Sequence, residues 1–181
     1  MPHLHLFTDG SVHTQSKFGV AAYLLLSDIN APIDLLEERV KLKQFDNTSS
    51  TKLELQTLLW AVNEVNAKNN VEDLILTIYT DSQNIITLPA RQTRLESNNY
   101  ISRNHKPLAN TELYQEFYKL INDCTRSHTN CSANTYTSNK YIFVKIKGHK
   151  VSNDKNKIDQ LFSLVDRAAR RGLREGVGSP G

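Results

Sequence analysis

The sequence is poor in cysteine and has no long hydrophobic run, and each absence excludes a class of protein. Its 181 residues include two cysteines, Cys124 and Cys131, too few for a disulfide scaffold, so we expect reduced thiols in a cytoplasmic protein. The longest apolar run, Val20 to Leu26, is strand-sized, far below the roughly 18 residues of a membrane span. The first residues lack the basic region and cleavage site of a signal peptide, so we expect neither secretion nor membrane association.

The composition is that of an ordinary globular protein with enough apolar material for one core. Hydrophobic residues make up 39% of the chain and charged residues 23%. At roughly 100–200 residues per domain, we expect one domain over residues 1–175, followed by a disordered tail over 176–181. The 22 Lys and Arg residues exceed the 19 Asp and Glu residues by 3, which permits a polyanionic partner without requiring one.

Apolar periodicity predicts three strands, then helices alternating with strands. The first two strands lie at Leu4–Thr8 and Gly19–Leu26, and alternation over 36–43 predicts a third strand. Helical spacing predicts helices over 55–65, 113–124 and 158–173, with further strands over 74–80 and 141–147. A short helix runs to Leu88, residues 91–110 are predicted as loop, and residues 125–139 as a connection.

This order of elements predicts an α/β fold with a mixed five-stranded sheet flanked by helices. Three adjacent strands suggest an antiparallel meander, and a helix between strands three and four implies a crossover that makes part of the sheet parallel. The predicted order is βββαβαβα with an extra short helix.

Acidic residues stand at the ends of several predicted elements. Asp9 and Asp81 follow two strands whose carboxyl ends would lie side by side if the strands are parallel neighbours. Glu54 begins the first helix, and the last helix carries Asp159 and Asp166, seven residues apart and so on nearly the same face. Carboxylates ~4 Å apart repel by on the order of 4 kcal/mol at an effective dielectric of ~20. Oxygen-only ligands suit Mg²⁺ or Mn²⁺ rather than zinc, and two such ions would clamp a phosphodiester undergoing hydrolysis.

Each of these carboxylates also has a structural interpretation. Asp9-Gly10 fits a turn, Asp81 fits the N-cap of the short helix, and the stretch from Thr51 to Glu54 fits a capping box. Their coincidence at corresponding ends of elements favours a shared site.

Five sequence blocks occur in an order that resembles type 1 ribonuclease H: Phe7–Ser11, Lys52–Leu55, Tyr79–Gln83, Lys147–His149 and Val165–Arg170. The resemblance spans Leu4 to about Glu175. It implies the ribonuclease H-like fold and a Mg²⁺-dependent endonuclease that cuts the RNA strand of RNA–DNA hybrids, leaving 5′-phosphate and 3′-hydroxyl ends. Two Mg²⁺ ions per site are implied, with Mn²⁺ as a substitute, in a monomer with no implied protein partner.

The resemblance also assigns roles to individual residues. Asp9, Glu54 and Asp81 match the metal-binding carboxylates, and His149 matches a histidine that assists proton transfer or product release. The implied substrate-binding residues are Gly10, Ser11, Ser50, Thr51 and Gln83. Residues 47–51 stand where the family has its asparagine-containing turn, so Ser50 and Thr51 are expected to supply contacts to RNA 2′-hydroxyls.

The fourth carboxylate is Asp166 or Asp159. Asp159 has the usual family spacing, ten residues after His149, whereas Asp166 sits in the better block match, with small residues three and six positions later. We favour Asp166, which requires an enlarged polar loop over 150–157.

Two other functions are compatible with the fold. One is a different nuclease or a strand-transfer domain, and the other is a non-catalytic nucleic-acid-binding module.

The basic side chains at 91–108 either contact phosphates or are solvated: Arg91, Arg94, Arg103 and Lys106. Trp60 is predicted to belong to the core.

Overall fold

The computed structural model describes residues 2–68, 74–122, 130–131, 135–137, 140–147 and 156–177. Its strands are β1 (His3–His13), β2 (Phe18–Leu26), β3 (Lys41–Phe45), β4 (Ile75–Thr80), β5 (Asn130–Cys131), β6 (Thr135–Thr137) and β7 (Tyr141–Lys145). Its α-helices are α1 (Ser50–Lys68), α2 (Gln83–Thr87), α3 (Gln92–Ser97), α4 (Thr111–Asn122) and α5 (Lys157–Val177). None of the helices in this part of the chain combines the length and apolarity that a membrane span requires.

The strands form one mixed sheet in the order β3-β2-β1-β4-β7-β6-β5. Strands β1, β2 and β3 form the predicted antiparallel meander. After the α1 crossover, β4 pairs with β1 in parallel, and β7 pairs with β4 in parallel. The predicted α/β class and mixed sheet are therefore confirmed, each of the five predicted strands overlaps a strand of the sheet, and β5 and β6 extend it.

The sheet is covered on both faces, because successive strand residues alternate between two hydrophobic clusters. Leu6 and Ile78 belong to the cluster on the side of α1 and α4. Their chain neighbours Phe7 and Tyr79 belong to the cluster on the side of α5. A sheet covered on both faces explains why these strands read as nearly continuous apolar runs.

Helix α5 approaches the sheet closely at its small residues. It packs across β1 and β2, with Ala169 fully buried. A Cβ atom added to Gly172 would lie 3.0 Å from the Val20 side chain, so a larger residue there would push the helix away. This close packing places α5 beside β1, the strand whose pairing with β4 ends at Phe7 and Tyr79.

The predicted third strand is wrong over most of its length. The chain from Ile33 to Arg39 forms two short 3₁₀ turns, and β3 begins at Lys41. Leu36 lies between the turns with 1% of its surface exposed, in the cluster under α5, whereas Leu42 is 44% exposed. The alternation of apolar and polar residues over 36–43 therefore does not reflect a strand with one solvent-exposed face. Its apolar residues Leu36 and Leu42 lie in different environments, one buried and one exposed.

Four other segments also differ from the sequence prediction. Strand β1 continues to His13, because Gly10 to His13 pair with β2. The predicted loop at 91–110 contains α3, anchored by the buried Leu95, and the predicted connection at 125–139 contains β5 and β6. Helix α5 runs to Val177, so the tail does not begin at 176, and residues 178–181 lie outside the described residues.

Candidate active site

Asp9 and Asp81 occupy equivalent positions on neighbouring parallel strands. Phe7 pairs with Tyr79, and each aspartate lies two residues beyond its member of that pair. Asp9 stands opposite Ala22 within the continuing hairpin, so the interpretation of Asp9-Gly10 as a turn is wrong. Strand β1 therefore presents Asp9 where its pairing with β4 has ended, next to the turn that carries Asp81.

Glu54 enters the same region from the first turns of α1. The helix is capped by Ser49, whose Oγ accepts the N–H of Lys52 at 3.3 Å, so Glu54 does not reach back as a capping-box residue. Its Oε2 instead accepts a hydrogen bond from the Ser82 hydroxyl at 2.5 Å. Ser82 rather than Asp81 caps α2, since its Oγ accepts the N–H of Ile85.

Gly10 lets α1 and β1 approach each other. A Cβ atom on Gly10 would lie 2.9 Å from Leu53, which is 1% exposed and cannot easily move. Gly10 therefore has a packing role besides its predicted substrate-binding role, because it lets α1, which carries Glu54, lie close to β1, which carries Asp9.

The two acidic residues of α5 have different surroundings. Asp159 is 6% exposed and forms a reciprocal cap with Asn156, whose N–H reaches Asp159 Oδ2 at 3.1 Å while Asp159 N–H reaches Asn156 Oδ1 at 2.9 Å. Such reciprocal pairs satisfy free N–H groups at a helix start. Asp166 lies two turns later, close enough to Asp9 to raise its pKa, and is ion-paired with Arg170 at 2.8 Å.

These side chains line one cavity of about 470 Å³, which we call the carboxylate cavity. It is lined by all four predicted carboxylates together with Asp159, and by Ser50 and Arg170. The structure thus brings Asp9, Glu54, Asp81 and Asp166 together from four separate elements.

The carboxylate cavity resists negative charge. Burial and the neighbouring Asp81, with a further contribution from Asp166, raise the pKa of Asp9 to about 8. Burial also raises the pKa of Glu54, although the hydrogen bond from Ser82 opposes the shift. A nearby cation favours the ionised form of such a carboxyl group and would offset this shift.

The donor set fits a hard divalent ion. Within the described residues no three His, Cys, Asp or Glu side chains are already arranged as a metal-ligand group. The cavity nevertheless offers carboxylate oxygens from four elements, the donor chemistry that Mg²⁺ and Mn²⁺ prefer. Asp9, Glu54, Asp81 and Asp166 would hold such an ion.

Comparison with known proteins agrees with this geometry. The model of one protein family, described as RNase H, matches residues 1–173. The chain belongs to the RNase H family. It is therefore a ribonuclease H, which the sequence blocks predicted, and a hydrolase. A search of curated protein sequences gives no match.

Solved structures support the RNase H fold. The solution structure of the PFV RNase H domain has a TM-score of 0.59 and 15% identity, covering 93% of each chain. The native crystal structure of prototype foamy virus protease-reverse transcriptase has a TM-score of 0.63 and 16% identity. That match covers 93% of this chain and 20% of the viral protein, so the ribonuclease H spans about a fifth of the viral chain.

The predicted substrate-binding residues of this ribonuclease H are only partly assembled in the cavity. Gly10, Ser11 and Ser50 line it, whereas Thr51 and Gln83 do not. Gln83 is exposed at the start of α2, and its Oε1 accepts a hydrogen bond from the Lys145 ammonium group of β7. His149 lies outside the described residues.

Two further predictions concern residues away from the cavity. Trp60 is partly buried against the core and meets Tyr23 edge-on with ring centroids 4.8 Å apart, as predicted for a core residue. Arg91 is also partly buried, and its Nη1 donates to Asn84 at 3.0 Å. The other three basic side chains of this segment are exposed and could contact phosphates: Arg94, Arg103 and Lys106.

Three residues that contact the predicted site residues carried no predicted role: Ser82, Lys145 and Arg170. A signal existed for two of them. Serine after a strand and before a helix is a common N-cap, and Arg170 stands four residues after Asp166, the spacing of a helical ion pair. Lys145 carried no local signal, because its pairing with Gln83 depends on the parallel register of β4 and β7.

Proposed function

We propose that this ribonuclease H cleaves the RNA strand of RNA–DNA hybrids using divalent ions held by Asp9, Glu54, Asp81 and Asp166. The observation that supports this most strongly is the carboxylate cavity, which gathers acidic groups from four parts of the chain and in which burial, Asp81 and Asp166 raise the pKa of Asp9 to about 8. Mg²⁺ ions, or Mn²⁺ in their place, would supply activation of the attacking water and stabilisation of the leaving 3′-oxygen.

The chain's own residues have the remaining tasks. Ser82 holds Glu54 through the 2.5 Å hydrogen bond, and helix α2, which Ser82 caps, carries Gln83 as its first residue. Gly10, Ser11, Ser50, Thr51 and Gln83 would contact the hybrid. His149 would assist proton transfer or product release.

Lys145 would orient the Gln83 side chain. An ammonium group only donates hydrogen bonds, so the amide oxygen of Gln83 faces Lys145. Both amide hydrogens of Gln83 are then directed to other acceptors, and minor-groove base edges and 2′-hydroxyl oxygens are acceptors of this kind.

We also propose that residues 1–175 act as one catalytic domain, monomeric and cytoplasmic, with the hybrid as its partner. The packing of α5 on β1 and β2 supports a single domain, because the last described helix and the first strand share one core. Light scattering during size-exclusion chromatography tests the monomer.

The deciding experiment is a substrate panel. Labelled RNA–DNA hybrid, double-stranded DNA and double-stranded RNA are incubated with the protein in Mg²⁺, in Mn²⁺ and in EDTA, and the product ends are identified. We expect metal-dependent cleavage of the RNA strand of the hybrid, with 5′-phosphate and 3′-hydroxyl ends. Asp81→Asn should abolish it and Asp34→Asn, at an exposed site outside the cavity, should not. Equal cleavage of double-stranded DNA would overturn the proposal.

A further inference from the structure

Arg170 is a cation in the lining of the carboxylate cavity, one helical turn after Asp166. Its Nε lies 2.8 Å from Asp166 Oδ1, with the two side chains 47% and 27% exposed. Asp166 lines this cavity together with Asp9, Glu54 and Asp81. The guanidinium group is therefore paired with one carboxylate of the acidic cluster.

We propose that Arg170 exchanges partners during the reaction cycle, an inference that rests on the proposed function. In the metal-free protein it is the counter-ion of Asp166. When Asp166 binds a divalent ion, the guanidinium group is released and contacts a backbone phosphate of the hybrid.

The exchange follows from the chemistry of both partners. A guanidinium group and a divalent ion compete for the same carboxylate oxygens, so the ion pair lowers the metal affinity of the free protein. Guanidinium forms charge-assisted hydrogen bonds to phosphate as well as to carboxylate. Arg170 stays beside the cavity after release, because its backbone is fixed in α5 against β1 and β2.

Arg171 provides a matched control. It is the next residue of α5 and is ion-paired with Glu37 at 3.1 Å, with both side chains 52% exposed. It does not line the cavity. Methionine resembles arginine in helix propensity, so Arg170→Met and Arg171→Met each remove one similarly exposed positive charge from a helix that should remain folded.

The first test is calorimetric titration of each variant with Mg²⁺ alone. Loss of a partly exposed competing ion pair should tighten Mg²⁺ binding by roughly two- to fivefold in Arg170→Met relative to Arg171→Met. Equal or weaker Mg²⁺ binding by Arg170→Met would overturn the exchange.

The second test is the dependence of kcat/KM for hybrid cleavage on KCl concentration. Arg170→Met should lower kcat/KM by about five- to tenfold at low salt and flatten the logarithmic salt slope by about one, the effect of losing one phosphate contact. Identical slopes in the two variants would overturn the phosphate contact. If the unsubstituted protein cleaves no hybrid, the proposed function fails, and the Mg²⁺ titration still decides whether Arg170 competes for Asp166.

Discussion

Ser82 donates its hydroxyl hydrogen bond to Glu54 at 2.5 Å while its oxygen accepts the N–H of Ile85 at 3.3 Å. One side chain, 4% exposed, thereby joins the end of β4, the start of α2 and the carboxylate of α1. Removing the hydroxyl would leave the Glu54 carboxylate and the Ile85 N–H without this hydrogen-bond partner.

We expect Ser82→Ala to lower the free energy of unfolding by about 1–2 kcal/mol, because it removes a helix cap and a buried hydrogen bond. The Ser82 hydrogen bond lowers the pKa of Glu54, so its loss should raise that pKa. More Glu54 is then protonated in mildly acidic buffer, and activity should fall more steeply there than at pH 8. Urea denaturation and a pH–rate profile measure both effects. Ser97→Ala, which removes an exposed hydroxyl of α3, is the control, and an identical pH profile for both variants would contradict the role of Ser82.

Strand and helix periods were sufficient to predict the main fold. Buried strands such as β4 and the amphipathic helix α5 have long apolar patterns, and the crossover rule predicted that part of the sheet is parallel. Local structure that depends on single anchors was not predictable in this way. Leu36 is buried between two three-residue 3₁₀ turns and Leu95 in the six-residue helix α3, elements too short to show a period.

The positions of the site residues were predictable only where a residue follows directly after the end of a strand. Asp9 and Asp81 lie beside each other because the strands pair in parallel. The role of Asp159 required the structure, since its bond to Asn156 depends on where α5 begins. The contacts of Arg170 with Asp166 and of Lys145 with Gln83 are made between side chains. No sequence pattern specifies such contacts uniquely.

Asp9→Asn should make the metal-free protein more stable at high pH. The pKa of Asp9 is about 8 in the folded protein and about 3.9 in an unfolded chain. A raised pKa contributes stability that is complete below about pH 3.9 and is lost as the pH rises through about 8. In EDTA at pH 8 to 9 we expect Tm to rise by at least about 2 °C, the effect of roughly 1 kcal/mol in a domain of this size. The difference should vanish near pH 4, and a constant difference across this range would contradict the assignment.

The same variant should lose the response to metal. Mg²⁺ raises the Tm of a protein whose folded state alone binds it, and Asp9→Asn removes a ligand charge. We expect Mg²⁺ to stabilise the unsubstituted protein and not the variant, which should also lack hybrid cleavage.

His149→Ala should slow turnover without eliminating it. A residue that moves protons or assists product release contributes roughly 10²- to 10⁴-fold, whereas the carboxylates of the cavity would remain intact. Single-turnover and steady-state rates, measured together, separate cleavage from product release. A loss as complete as that of Asp9→Asn would show that His149 has a different role.

Lys145→Met should raise KM for the hybrid by roughly three- to tenfold with kcat unchanged within twofold, the pattern of lost uniform binding. Methionine keeps the length of the side chain but cannot donate to the Gln83 amide oxygen. The control is a double-mutant cycle with Gln83→Ala. If Lys145 acts through Gln83, Lys145→Met should add no further effect in that background, and additive effects would mean that Lys145 contacts the substrate itself.

Asp159→Asn and Asp166→Asn should separate the two acidic residues of α5. Seven helical residues span about 10.5 Å along the axis at 1.5 Å per residue, and a Mg²⁺–oxygen bond is only ~2.0–2.1 Å, so one ion beside Asp9 cannot readily bind both. Asp166 lies close enough to Asp9 to raise the pKa of that carboxyl, and Asp159 caps the helix start through Asn156. We expect Asp166→Asn to abolish most Mg²⁺-dependent cleavage, measured with labelled hybrid.

Asp159→Asn should instead affect mainly stability. Asparagine keeps an oxygen that can accept the Asn156 N–H, but it loses the negative charge that favours a helix N-terminus, an interaction of about 0.3–1 kcal/mol. We therefore expect a loss of unfolding free energy below about 1 kcal/mol in urea denaturation, with activity kept within roughly tenfold, equivalent to ~1.4 kcal/mol in the activation barrier. The reverse pattern, with Asp159→Asn inactive and Asp166→Asn active, would assign the fourth carboxylate to Asp159 and make its bond to Asn156 secondary to metal binding.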